Sequence, residues 1–123
     1  MINAFASLPK KGDGSIRTIL SVCTGSLLLA EAGVLDGKSA TTHPFYYGKL
    51  GDISALKGKT NVLKERFVVN EVDEEKGLRI ITAGGISCGL DASLWLTGEL
   101  VGKDCLDFVA DRVQYAYREG AVL

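Results

Sequence analysis

The cysteine at position 23 lies where the character of the sequence changes abruptly. The apolar, β-branched run over 16–22 predicts a buried strand, and the residues from Thr24 onward predict a helix. A small nucleophile between a strand and a helix is held in a sharp, exposed turn, as in the nucleophile elbow of hydrolases. The amino end of a helix also favours a thiolate over a thiol. The sequence therefore predicts Cys23 as a reactive thiol, with a buried, unreactive cysteine as the alternative interpretation.

Two residues that follow Cys23 fit the same chemistry. The backbone N–H of Thr24 lies at the predicted helix start, where it could receive the oxyanion formed when the sulfur attacks a carbon atom. Gly25 is expected to let the backbone turn and to let a substrate approach it closely. We therefore predict Thr24 as the oxyanion position and Gly25 as a weaker, substrate-binding position.

The remaining candidate residues lie further along the chain. His43 is the sole histidine, and we predict it as a base or orienting group beside Cys23, with a satisfied core or loop residue as the alternative. Gly84 and Gly85 separate a predicted strand from a predicted helix, so they would allow close approach of a ligand or of a neighbouring element. Cys88 and Cys105 stand among apolar residues and are interpreted as packing residues.

Composition bounds the classes of function. The chain has 123 residues, 46% hydrophobic and 24% charged, which is ordinary for one globular domain over 1–123. A net charge of −1 without a basic block argues against nucleic acid or an anionic membrane as a partner. The three cysteines have no metal-ligand spacing, and no dinucleotide or phosphate-loop fingerprint occurs. We expect no metal, no cofactor and a cytoplasmic location.

The predicted elements alternate in the manner of an α/β fold. We predict helices over 1–8, from 24 to Gly33, over 44–50, over 86–101 and over 104–117. Strands are predicted over 16–22, 39–42, 62–72 and 78–83, the last two forming a hairpin. Glu31 and Asp91 lie near or within the predicted helices and are interpreted as caps or solvated charges.

Four segments together resemble the ThiJ/PfpI superfamily, which includes the parkinsonism-associated protein deglycase, glyoxalase-type relatives and bacterial isocyanide hydratases. The run Ser-Val-Cys-Thr-Gly-Ser over 21–26 resembles the family elbow, and Leu-Leu-Ala-Glu-Ala-Gly-Val-Leu-Asp-Gly over 28–37 its following helix. Ala-Thr-Thr-His-Pro over 40–44 is similar to the next segment. Thr-Ala-Gly-Gly-Ile-Ser-Cys-Gly-Leu-Asp-Ala-Ser-Leu over 82–94 resembles the late strand and helix of the isocyanide-hydratase-like branch.

This resemblance implies a flavodoxin-like, class I glutamine-amidotransferase-like three-layer sandwich, with a mostly parallel sheet and a hairpin. It implies Cys23 as nucleophile, Thr24 at the oxyanion position and His43 close to the thiol. Threonine stands after the cysteine where the protease-like branch has histidine, which disfavours peptidase activity. The implied activity is that of a cofactor-independent lyase or hydratase on a small electrophile, such as an isocyanide or a 2-oxoaldehyde.

The chain departs from the family at its start, where roughly the first three strands have no counterpart. In the family, that part supplies an acidic residue near the cysteine and a glycine-rich turn of the oxyanion hole, so competence as an enzyme stays open. Its absence would also expose a parallel edge beside the elbow strand. We expect a fragment or a self-associating short form, a homodimer or larger. The alternatives are a non-catalytic, self-associating redox sensor and a ligand-sensing domain of a transcription regulator.

Overall fold

A computed structural model describes all 123 residues of the chain. Five α-helices are present: α1 (Ile2–Ala6), α2 (Gly25–Glu31), α3 (Tyr47–Ala55), α4 (Ile86–Val101) and α5 (Lys103–Arg112), with a 3₁₀ turn over Pro44–Tyr46 before α3. The strands are β1 (Arg17–Ser21), β2 (Lys38–Ala40), β3 (Thr60–Val62), β4 (Phe67–Val69), β5 (Leu78–Ala83) and β6 (Ala121–Val122). The predicted helix over 86–101 is confirmed at both ends, and Gly102 follows it with a positive φ of 99° that L-residues with side chains disfavour.

The strands form two sheets. The larger has the order β1-β5-β4-β6, in which β1 runs parallel to β5 and Ser21 lies opposite Thr82. β4 runs antiparallel to β5, which confirms the predicted hairpin, and β6 pairs parallel to β4. β2 and β3 form a separate parallel pair. The prediction of one strand over 62–72 is therefore wrong, because this segment divides between two sheets.

Helices cover both faces of the larger sheet. On one face, side chains from α1, α2, α3, β2 and β5 form a cluster that includes Leu29, Leu50 and Ile80. On the other face, α4 packs its Ala92 against Phe67, Ile81 and neighbouring residues of β4 and β5. This is the three-layer, flavodoxin-like α/β arrangement that the family resemblance implies, with a mixed sheet in the middle.

Strand β1 stands at an edge of the larger sheet. The N–H groups of Arg17 and Cys23 donate to Gly77 and Gly84 on the β5 side. Because backbone groups alternate in direction along a strand, those of Thr18 and Leu20 point away from β5, where no strand pairs with them. The strand that precedes the candidate nucleophile is thus hydrogen-bonded on one side alone.

The carboxyl-terminal segment differs most from the prediction. The helix expected over 104–117 is α5, which ends at Arg112, and Gln114 then adopts a positive φ of 52°. Phe108 and Val113 are exposed and contribute no core. Tyr117 packs against the second cluster only after the chain has turned back toward the sheet. No helix of the fold has the length and apolar character that crossing a bilayer requires.

Candidate active site

Cys23 occupies the turn between β1 and α2 in a strained backbone conformation. Its φ is +58°, and Gln114 is the one other non-glycine residue with a positive φ. A side chain at such an angle costs on the order of 1–3 kcal/mol and persists only where the surroundings impose it. The half-buried side chain forms no hydrogen bond with any other group of the chain. This is the geometry of an elbow that presents its side chain at the end of a strand.

Two neighbouring segments hold the strained turn from opposite sides. The Cys23 N–H donates to the Gly84 carbonyl over 2.6 Å, which ties the turn to the end of β5. The Thr42 hydroxyl, which is fully buried, donates to the Cys23 carbonyl over 3.0 Å and ties it to the segment after β2. Cys23, Thr42 and Gly84 therefore form one junction, to which we refer as the elbow junction.

The turn does not depend on Gly25 in the way that the sequence suggests. Gly25 has no positive φ, and a methyl group built on it would meet the Cβ of Ser21 at 3.5 Å, an ordinary contact. The residue that adopts the left-handed conformation is Cys23 itself. The expectation that Gly25 lets the backbone turn is therefore wrong, whereas its proximity to a substrate stays a prediction.

Thr24 caps the amino end of α2 with its backbone in a non-helical conformation, and its side chain makes no capping hydrogen bond. Its N–H group has no acceptor within the chain, unlike that of Cys23. An unpaired donor next to the thiol is the feature that an oxyanion would need. Because α2 has only seven residues, individual N–H groups at its amino end matter more for binding an oxyanion than the dipole of the helix.

His43 lies directly after Thr42 of the elbow junction and is half-buried. Its Nδ1 accepts a hydrogen bond from the Phe45 N–H over 3.2 Å, which leaves Nε2 as the protonated nitrogen of the neutral ring. A Cβ atom on Gly85 would lie 3.7 Å from the His43 Cδ2. The ring therefore borders the Gly84–Gly85 turn, but it forms no hydrogen bond with the Cys23 thiol.

The glycine pair separates two tasks. Gly84 is buried, and a methyl group on it would meet Cys88 Sγ at 3.3 Å and the Thr42 carbonyl at 3.5 Å. Its N–H donates to the Arg66 carbonyl. Gly84 thus lets three segments approach closely, which is the packing interpretation of the pair. Gly85 is the N-cap residue of α4 and faces the His43 ring, and its proximity to a substrate stays a prediction.

A cavity of about 400 Å³ adjoins the elbow and is bordered by Thr24, Gly25, Glu31 and Lys49. It does not reach Cys23 or His43. Glu31 is an exposed charge, as the sequence predicts, and it is the one carboxylate on this cavity. No group of three or more His, Cys, Asp or Glu side chains is placed to hold a metal ion.

Comparison with known proteins bears on this geometry. The DJ-1/PfpI family matches residues 6–90, which include β1, the elbow, His43 and the Gly84–Gly85 turn. The chain belongs to the DJ-1/PfpI family. The match covers the elbow and the segments that surround it, so the ancestry of this site is that of the family.

The relatives of this DJ-1/PfpI chain are longer than the chain itself. It is 39% identical over 100 residues to an isonitrile hydratase of Pseudomonas putida, an alignment that covers 81% of this chain and 39% of the relative. A ThiJ/PfpI family protein of Pseudomonas syringae has a similar structure, with a TM-score of 0.63 at 28% identity over 83% of this chain and 37% of that one. An AraC family transcriptional regulator of Pseudomonas putida reaches the same TM-score at 20% identity over 76% of this chain and 45% of that one. The chain thus spans about two-fifths of the length of the relatives that it matches.

Sequence reasoning missed a buried polar cluster beside the elbow junction of this DJ-1/PfpI chain. Asp91, which was expected to be a cap or a solvated charge, has an exposed fraction of 0%. Its carboxylate accepts hydrogen bonds from Arg66 Nε at 2.7 Å, the Tyr115 hydroxyl at 3.1 Å and the Arg118 N–H at 2.8 Å. The signal that could have found it is an acidic residue within an otherwise apolar helix, since a buried charge must be paired.

This Arg66–Asp91 cluster is joined to the elbow junction through the backbone. The hydrogen bond to Asp91 raises the pKa of Arg66 above its ordinary value, since it favours the charged guanidinium. The guanidinium also donates to the Ser87 and Tyr115 hydroxyls. Because the Arg66 carbonyl accepts from Gly84, whose own carbonyl accepts from Cys23, the cluster fixes the turn that holds the elbow.

Proposed function

We propose that this chain carries the cysteine site of a cofactor-independent hydratase or lyase that acts on a small electrophile, with an isonitrile as the preferred class. The observation that carries the proposal is the conformation of Cys23, whose strained φ of +58° is maintained at the end of β1 by hydrogen bonds on both sides. Such strain is expected where a side chain must be presented rather than packed. The 39% identity to an isonitrile hydratase supports the choice of substrate class.

The proposed reaction adds one water molecule to the isonitrile. The Cys23 sulfur forms a bond to the terminal carbon, and that carbon takes up a proton, giving a thioimidate. Water then adds to the same carbon, and the nitrogen is protonated. The carbon–sulfur bond breaks, the thiol regains its proton, and a formamide leaves. Splitting the hydration in this way replaces one difficult step with two easier ones.

The neighbouring groups have proposed roles in these steps. The unpaired Thr24 N–H is suited to stabilise negative charge on the oxygen of the second adduct. His43 Nε2 is the nitrogen that is free to exchange a proton with substrate or water, since Nδ1 is occupied by the Phe45 N–H. A carboxylate beside the thiol would have to come from a second chain or from a further segment. The three cysteines are free thiols, which a reducing compartment maintains, so we also propose a cytoplasmic location.

The experiment measures formamide formation from an aryl isonitrile by chromatography and mass spectrometry. The three proteins are the unaltered chain, Cys23→Ser and the matched control Cys105→Ser, whose cysteine lies on α5 away from the elbow. We expect turnover by the unaltered chain, a loss of at least about 100-fold in Cys23→Ser, and little change in Cys105→Ser. Absence of turnover in the unaltered chain, or its retention in Cys23→Ser, would refute the proposed reaction.

A second candidate function is favoured by the unpaired outer edge of β1: a non-catalytic, self-associating redox sensor. An unpaired strand edge is a template for pairing with another chain, here a second copy. At Cys23, two peroxide molecules would oxidise the thiolate to a sulfinate, each transferring one oxygen atom and leaving water. This candidate needs neither the carboxylate nor a substrate pocket.

Two measurements test the sensor. Mass spectrometry after peroxide treatment should find two added oxygen atoms at Cys23 in a protein without turnover. Light scattering should find a dimer that dissociates in Ile16→Lys, because Ile16 is exposed at the start of β1, but persists in Leu56→Lys, where the exposed leucine follows α3. A monomer at all concentrations, or equal oxidation of all three cysteines, excludes this function.

A regulatory domain is the minor alternative. The similarity to an AraC family regulator is at 20% identity and reports a shared fold alone. No basic block accompanies it, since the chain has a net charge of −1. We therefore rank ligand sensing for transcription below both cysteine-based functions.

A further inference from the structure

A cavity lies at the opposite end of β2 from His43. Its volume is about 570 Å³, and it is bordered by the second half of α3 and by the amino ends of β2 and β3. This falls within the 300–1,000 Å³ of typical small-molecule sites. Ala55 is its one hydrophobic lining residue, and the others are glycine, lysine, serine, threonine and asparagine. Neither Cys23 nor any other member of the elbow junction lines it.

The charges on this α3 cavity have one sign. Lys38 and Lys59 line it, and no carboxylate does. Neither lysine takes part in a salt bridge. The pKa of Asp73 is lowered mainly by a hydrogen bond from the Lys76 N–H, with smaller contributions from the Glu75 N–H and the Lys38 charge. The Asp36 carboxylate is turned to the Lys59 N–H, to which it is hydrogen-bonded at 2.8 Å. Two lysines along the lining of one cavity favour an anionic ligand, because their positive charges attract it.

Ser54 supplies an independent observation. Ser54 borders the α3 cavity and is 3% exposed, and its buried hydroxyl has no hydrogen-bond partner. Buried hydroxyl groups are ordinarily paired, because leaving one unsatisfied costs free energy. A ligand oxygen in the cavity would satisfy it.

The backbone leaves space for such a ligand. A Cβ atom on Gly51, which lies on α3 and lines the cavity, would have no atom within 4 Å. Two carbonyls in the last turn of α3, those of Ile53 and Ser54, accept hydrogen bonds from the Leu56 and Lys57 N–H groups. The negative end of the α3 dipole is thus partly satisfied within the chain, which reduces its repulsion of an anion.

We propose that the α3 cavity binds a small phosphorylated molecule, with its phosphate between Lys38 and Lys59 and an oxygen accepting the Ser54 hydroxyl. Phosphate is chosen because its several oxygens can accept from both ammonium groups and the hydroxyl together. The cavity is larger than a bare phosphate requires, so the ligand includes an organic part. This site is independent of the chemistry at Cys23.

The test is a titration of the full chain with inorganic phosphate and with glycerol 3-phosphate, followed by amide chemical shifts in NMR spectra. We expect saturable shifts around residues 37–39, 51–55 and 58–61, with dissociation constants on the order of 1 mM for inorganic phosphate. Glycerol 3-phosphate should bind more tightly than phosphate, and uncharged glycerol should produce no saturable shifts. Absence of saturable shifts for both phosphates up to 20-fold above that concentration, roughly 20 mM, overturns the proposal.

Three variants make the assignment specific. The double variant Lys38→Gln with Lys59→Gln should weaken binding about fivefold or more, and Ser54→Ala about twofold. Gly51→Leu should block binding by filling the cavity, whereas Gly48→Leu is the matched control, because Gly48 lies one turn earlier on α3, has equally open space and does not line the cavity. If Gly48→Leu also abolishes binding, or if Gly51→Leu binds like the unaltered chain, the ligand lies elsewhere and the proposal fails.

Discussion

The elbow junction and the Arg66–Asp91 cluster lie side by side but are built in opposite ways. At the elbow, a strained residue is held by hydrogen bonds to its backbone, and its side chain is left without a partner. In the cluster, the Asp91 side chain is fully buried and all its neighbours donate to it. The buried, fully paired cluster therefore supports the turn, whereas the side chain without a partner belongs to the strained residue.

Removing the carboxylate of the cluster should have the largest effect on folding. We expect Asp91→Ala to lower the free energy of unfolding by about 3 kcal/mol, because the partly buried Arg66 guanidinium loses the carboxylate that it is paired with. Urea denaturation measures this change. The control is Asp107→Ala, which breaks the exposed pair with Lys103 and should leave the denaturation midpoint almost unchanged. If Asp91→Ala changes the denaturation midpoint as little as Asp107→Ala does, the Arg66–Asp91 cluster does not stabilise the fold.

The second largest effect on stability should come from a larger side chain at Gly89, where α4 packs against the residue after β1. A methyl group on Gly89 would lie 2.6 Å from Val22 Cγ1, so Gly89→Ala must push the residue that precedes Cys23. Overpacking of this kind typically costs about 1–3 kcal/mol. Gly48→Ala on α3 meets no atom and should instead stabilise by up to about 1 kcal/mol. Calorimetry distinguishes the two, and equal melting temperatures would show that Val22 yields without cost.

How far the sequence predicts these two regions depends on how local their cause is. The elbow, α4 and the β4–β5 hairpin follow from patterns over neighbouring residues, and the resemblance added the fold. The Arg66–Asp91 pair joins residues 25 positions apart, which no local pattern indicates. β6 has two residues and forms because β4 offers it an edge. The positive φ at Cys23 instead of at Gly25 arises from tertiary hydrogen bonds, which override the usual preference for glycine.

Variants of the two buried threonines after β2, Thr41 and Thr42, can distinguish support of the elbow from a contribution to overall stability. Thr42→Val removes the hydrogen bond to the Cys23 carbonyl, and Thr41→Val removes one to the Glu65 carbonyl. Each should cost about 1 kcal/mol in urea denaturation. Only Thr42→Val should change the rate at which limiting iodoacetamide labels Cys23. Mass spectrometry measures this rate. Equal labelling rates in both variants would mean that Thr42 stabilises the fold without positioning the cysteine.

The smallest effect should come from releasing the strain at the elbow itself. Glycine adopts a positive φ without the penalty that Cβ imposes, so Cys23→Gly should be more stable than Cys23→Ala by about 0.5–1 kcal/mol. Gln114→Gly, compared with Gln114→Ala, should show the same sign, because its φ of 52° is similar and it lies in no site. Thermal denaturation of the four variants measures both differences. If the gain appears at Gln114 but not at Cys23, the elbow conformation relaxes in solution, and the case for a presented nucleophile loses its geometric support.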